Sequence, residues 1–84
     1  MRRTDNEIEA EADRLERAAD AEPVWDRRVA IGAAASTLRQ RVTPGQVTTA
    51  HGEQPEDRCN AMMAAANWAY GLTEDRPSDR LSDD

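Results

Sequence analysis

Fifteen of the 84 residues are alanine, while leucine, isoleucine and valine together number ten and phenylalanine is absent. No other feature narrows the fold as far. A charged chain whose large aliphatic and phenylalanine residues fall below about a fifth of the total borders on disorder, because it has too little apolar surface to bury. Alanine works in the other direction, since it is the best helix former and its small side chain lets helices approach closely. Trp25, Trp68, Tyr70, Met62 and Met63 supply bulk for a core. The combination predicts a mainly α fold: a small three-helix bundle, or a helical hairpin plus a third helix, in one domain over residues 1–72. Apolar burial in scaffolds under about 80 residues barely offsets ordering entropy, so self-association or a partner is expected to add stability.

The first helix is predicted over residues 5–21. Thr4-Asp5-Asn6-Glu7 has the pattern of a capping box, and Ile8, Ala12, Leu15 and Ala19 then form one apolar stripe. Asp13 with Arg17, and Glu11 with Arg14, are spaced one turn apart as ion pairs on the solvated face. Pro23 breaks the chain, and a second helix is predicted over residues 24–42. Val24, Ile31, Leu38 and Val42 share its face, with Trp25 and Val29 on a flank. Gly32, Ala33, Ala34 and Ala35 offer a smooth surface for close approach of another helix.

Thr43-Pro44-Gly45 reads as a turn and residues 43–54 as a loop, in which the β-branched Val47-Thr48-Thr49 has no strand to pair with. The third helix is predicted over residues 55–71. Cys59, Met63, Ala66 and Tyr70 line one of its faces, and Met62, Ala65, Ala69 and Leu72 the next. Ala61, Ala64 and Trp68 line a third. A helix apolar nearly all round must be buried on several sides, and three short helices can hardly cover it. A twin chain or a larger protein is the expected cover. Gly71 reads as the terminator, and residues 73–84, with Pro77, seven charged residues and only Leu81 as an apolar group, as a disordered acidic tail.

Charge is distributed unevenly. Residues 1–22 hold eight acids against four arginines (−4), residues 23–52 one against four (+3) and residues 53–84 eight against three (−5), for a net of −6. The basic middle consists of Arg27, Arg28, Arg39 and Arg41. These arginines either pair with the acidic segments or touch phosphates. An acidic chain with pI near 4.7 works against general affinity for nucleic acid. No run approaches the roughly 20 apolar residues that span a membrane, and acids follow Arg2 and Arg3 where a signal peptide needs an apolar stretch. With Cys59 as the one cysteine, no disulfide can form within the chain, and a cytoplasmic location is expected.

Candidates for chemistry are few. His51, the only histidine, sits between Ala50 and Gly52 in a polar stretch, and Cys59 lies one turn into an apolar helix, where a thiol behaves as a small hydrophobe. Neither enzymatic activity, nor a cofactor, nor a metal is expected. Asn60 and Asn67, seven residues apart on an apolar helix, either fix register in a helix pair, for which amides have this spacing, or mark the single water-facing side of the helix. With Met62, Met63, Trp68 and Tyr70 they make the candidate partner interface. The function expected is a non-enzymatic protein-binding module: a small acidic inhibitor or adaptor that docks on a larger protein with a basic surface, with homodimer formation in view. The second reading is a nucleic-acid-linked regulator whose second-helix arginines contact phosphates.

Overall fold

The Thr4 capping box forms as the pattern specifies. The Glu7 amide donates to Thr4 Oγ1 and the Thr4 amide to Glu7 Oε1, each at 3.2 Å, and α1 runs Asp5–Ala21 from there. A computed structural model describes residues 1–50 and 55–81. It places four further helices: α2 Trp25–Arg39, α3 Pro44–Ala50, α4 Glu56–Ala69 and α5 Pro77–Leu81. The protein is mainly α, with no strand among the described residues.

α1 and α2 form an antiparallel hairpin. Arg28 at the start of α2 donates through Nε to the Ala19 and Glu22 carbonyls at the end of α1, each at 3.2 Å. At the other end Arg39 reaches Glu9, Asp13 and Glu16 of α1. Ile8, Ala12, Leu15 and Ala19 pack on Ala30, Ile31, Ala34, Ala35 and Leu38, and α4 completes the core with Ala61, Ala65, Trp68 and Ala69. The C-terminal ends of α2 and α4 meet where Tyr70 Oη donates to the Arg41 carbonyl at 3.0 Å. Three expectations for the second helix fail. Val24 caps it from outside and is half exposed, Trp25 is 70% exposed, and a Cβ on Gly32 would have nothing within 4 Å. The close helix contact falls on Ala34 and Ala35, one turn-face away from the glycine.

Two segments expected to lack structure have it. Residues 44–50 form α3 because Thr43-Pro44-Gly45-Gln46 is a second capping box. The Thr43 amide donates to Gln46 Oε1 at 2.8 Å, the Gln46 amide donates back to Thr43 Oγ1 at 3.2 Å, and Pro44 takes the first helical position. Val47, the centre of the supposed extended fragment, is 1% exposed in α3, which packs on α4. Residues 51–54 of the predicted loop, His51 among them, lie outside the described residues. The tail is ordered as far as Leu81. α5 packs on α1 and α4, with Pro77 and Ser78 buried, whereas residues 82–84 lie outside the described residues.

Both long apolar helices end in the same motif, in which the residue past the cap turns left-handed and the following two amides fold back on the last turn. Gly71, at φ 76°, closes α4 with bonds from its own amide to the Trp68 carbonyl (3.1 Å) and from the Leu72 amide to that of Asn67 (2.8 Å). Arg41, at φ 55°, closes α2 in the same way and is not a glycine. Its guanidinium holds it there, donating to the Leu38 carbonyl at 2.7 Å and pairing with Glu9 at 3.0 Å. The radius of gyration is 11.5 Å, against roughly 12 Å for a globular domain of this length.

Candidate functional site

Each of the four arginines singled out from the sequence is engaged within the chain. Arg27 Nε lies 3.0 Å from Glu22 Oε1, and its Nη2 donates to the Leu81 carbonyl at 3.1 Å. Arg28 caps the end of α1, and Arg39 gathers three carboxylates across the hairpin, with Asp13 at 2.6 Å and Glu16 at 2.8 Å. Arg41 pairs with Asp5 at 3.4 Å and shares Glu9 with Arg39. The basic middle segment therefore clasps the acidic first one. Asp13 finds Arg39 rather than Arg17, while Glu11 and Arg14 pair at 2.8 Å as the spacing implies. The hydrogen bond from Arg39 holds the Glu16 carboxyl below the ordinary glutamate value, and the Arg39 guanidinium is pushed up by Glu16 and Asp13. Glu22 is likewise lowered, first by the Val24 amide and then by Arg27.

The candidate interface divides. Trp68 is 4% exposed in the core, with the Arg3 guanidinium carbon 5.1 Å from its ring centroid, so it anchors the fold and not a partner. Tyr70 packs against the core and spends its hydroxyl on Arg41. Cys59 is buried. Met62 is half-buried and stands apart from the cleft that gathers Asn60, Met63 and Asn67.

That cleft is an open groove of about 570 Å³ where α2, α4 and α5 meet. Asp57, Asn60, Ala64 and Asn67, spaced three, four and three, form the α4 wall, with Met63 beside them. The opposite wall is Asp26, Arg27 and Ile31 of α2, continued by Arg80 and Leu81 of α5. Ala30 and Ala61 make the floor apolar, while the two amides and the charged groups stand around it. Neither Asp26 nor Asp57 has an ion pair among the described residues. Each lies in the first turn of its helix, where the dipole favours the carboxylate.

Two features escaped the sequence reading. Trp25, next in sequence to groove-lining Asp26, looked like a flanking core residue because its spacing from Val29 fits a helix face. At the first position of α2, however, no element overlies it. Glu11 looked like a surface acid but is fully buried, with Oε1 on Arg14 and Oε2 accepting from the Ser78 amide at 2.6 Å. Its sequence signal was its spacing, three residues after Ile8 and four before Leu15, which places it on the apolar stripe.

No group of His, Cys, Asp and Glu side chains among the described residues is arranged to hold a metal ion. No described helix is long and apolar enough to cross a membrane. Comparison with protein-family profiles, curated proteins and solved structures finds no match to this chain.

Proposed function

We propose that this protein is a non-enzymatic protein-binding module, a small acidic inhibitor or adaptor whose α2–α4–α5 groove receives an amphipathic helix from a larger protein. The groove itself carries the proposal: about 570 Å³ over an alanine floor bounded by amides, with Asp26 and Asp57, which have no ion pair among the described residues, at the rim. That volume lies in the range of small-molecule sites, but an open trough along 11 residues of α4 is the shape in which helices lay an apolar face. The groove lining balances Asp26 and Asp57 against Arg27 and Arg80, so it is the chain's net charge of −6 that favours a helix with lysine or arginine beside its apolar stripe. The phosphate-binding reading has less support, because Arg27, Arg28, Arg39 and Arg41 would have to leave the carboxylates and carbonyls that hold the hairpin together.

The test uses two synthetic helical peptides with leucines at i, i+3 and i+7, one flanked by arginine and the other by glutamate, titrated into the labelled protein and followed by NMR. The cationic peptide is expected to shift the amides of Asn60, Ala64 and Asn67, the acidic one to leave them, and Met63→Asp to abolish the effect while keeping the fold. A duplex DNA fragment that moves the arginine signals while neither peptide moves the groove would sink the proposal. Sedimentation of the free chain decides whether a second copy takes the groove instead.

A further inference from the structure

Arg80 and Leu81, which complete one wall of the groove, belong to a helix of five residues. A helix that short has no stability of its own, since ordering a first turn costs more than its hydrogen bonds return. Other elements hold it in place. Pro77 and Ser78 are buried against α1 and α4, but Asp79 and Arg80 are exposed and Leu81 is only partly covered. Two polar contacts secure the ends. The Ser78 amide in the first turn donates to the buried Glu11 carboxylate at 2.6 Å, and the Leu81 carbonyl in the last accepts from Arg27 at 3.1 Å. Glu11 thus supplies from α1 the N-terminal cap that Arg76, the residue before α5, does not provide. A buried carboxylate with one oxygen on Arg14 and the other on a backbone amide is an expensive fitting for a surface helix, and it selects one position for α5.

We propose that α5 is a latch on the groove. Docked, it closes the wall with Arg80 and Leu81; released, it removes that wall and bares Glu11 between α1 and α4. This rests on the groove being the docking site and adds its regulation. Segments with few buried apolar contacts open at free energies far below that of global unfolding, and α5 buries only Pro77 and Ser78. By linkage, an occupant that touches Arg80 and Leu81 holds the latch shut, and any segment that competes for Glu11 opens the groove.

Amide hydrogen exchange by NMR on the full chain tests this, in the native protein and in Glu11→Ala, Glu11→Gln and Arg27→Ala. Exchange at Ser78, Asp79 and Arg80 is expected to rise at least tenfold in Glu11→Ala, the loss of one charge-assisted bond, with α2 and α4 amides unchanged. Glu11→Gln, which keeps an acceptor oxygen but not the charge, should fall between. In an Ala64→Cys background, thiol labelling within the groove should accelerate with Glu11→Ala by a similar factor. If circular dichroism shows Glu11→Ala unfolded, Glu11→Gln and Arg27→Ala carry the comparison. The latch is refuted if native α5 amides exchange only with those of α2, or if the engineered thiol labels at one rate in every variant. Failure of both peptides to bind sinks the docking reading and leaves these rates as they are, so the two ideas fail separately.

Discussion

The same substitution at two glycines should move stability in opposite directions. Gly32 lies inside α2 with open space where a Cβ would stand, so Gly32→Ala gains helix propensity and restricts the unfolded chain at no steric cost. The expected gain is about 0.5–1 kcal/mol. Gly71 has φ 76°, and a Cβ built on it would stand 2.2 Å from the Met1 carbonyl oxygen and 2.7 Å from the Met1 nitrogen. Gly71→Ala therefore incurs a left-handed backbone cost of about 1–2 kcal/mol. It also pushes away a segment whose Arg3 amide bonds the Ala69 carbonyl at 2.8 Å, worth about 1 kcal/mol more. A domain of this size shifts its melting temperature by about 4–8 °C per kcal/mol, so the two variants should melt roughly 10–30 °C apart. Thermal and urea unfolding followed by circular dichroism measure this directly. A destabilised Gly32→Ala would refute the reasoning, since it would mean that something packs on that open face, and sedimentation of the variant would then show a second copy there.

Thr43→Ala removes the α3 cap and should cost about 1 kcal/mol, with faster amide exchange at Val47 and Thr48 as its local signature; a silent variant would show that α3 does not depend on its box. Trp68→Ala should cost about 3–5 kcal/mol because the ring is buried, whereas Trp25→Ala should stay within about 0.5 kcal/mol, a contrast read by urea unfolding. Acid should destabilise the hairpin. Asp5, Glu16 and Glu22 titrate below their ordinary values in the folded chain, so their contribution is complete above the unfolded carboxylate range near pH 4 and is lost as pH falls through the folded values. Arg39→Ala, which removes the main cause of the Glu16 shift, should flatten that acid limb, and an unchanged limb would show the clasp to be energetically idle.

Where the sequence was legible, local chemistry and tertiary need agreed. The α1 stripe, the Thr4 box and the Gly71 terminator each specify their own geometry within a few residues, and the structure keeps all three. The second capping box was equally explicit in Thr43-Pro44-Gly45-Gln46, but Pro-Gly is also the strongest turn signal, and the β-branched run after it argued against a helix. What decides there is Val47, whose burial on α4 is a long-range fact that no window of the sequence contains. α5 is a sharper case. Five residues with one large apolar side chain carry no periodicity to detect, and the group that positions them, Glu11, lies 67 residues away. Of the candidate interface, Asn60, Met63 and Asn67 share the groove because helical spacing alone places them on one face. Trp68, read both as core bulk and as a candidate for the interface, lies in the core, since periodicity cannot say which face of an all-apolar helix a neighbour covers.

These corrections change what a partner is needed for. Read from the sequence, the third helix was apolar all round and three helices could not cover it, so a second chain was required to finish the core. In the structure the two segments set aside as loop and tail do that work: α3 lays Val47 against α4, and α5 closes the gap between α4 and α1. The molecule is as compact as a globular domain of its length, with α3 and α5 each covering part of α4. What remains is more specific than a missing core. Binding now has to be argued from surface that the fold leaves open after covering α4, namely the groove between α2, α4 and α5, where Asp26 and Asp57 have no ion pair among the described residues.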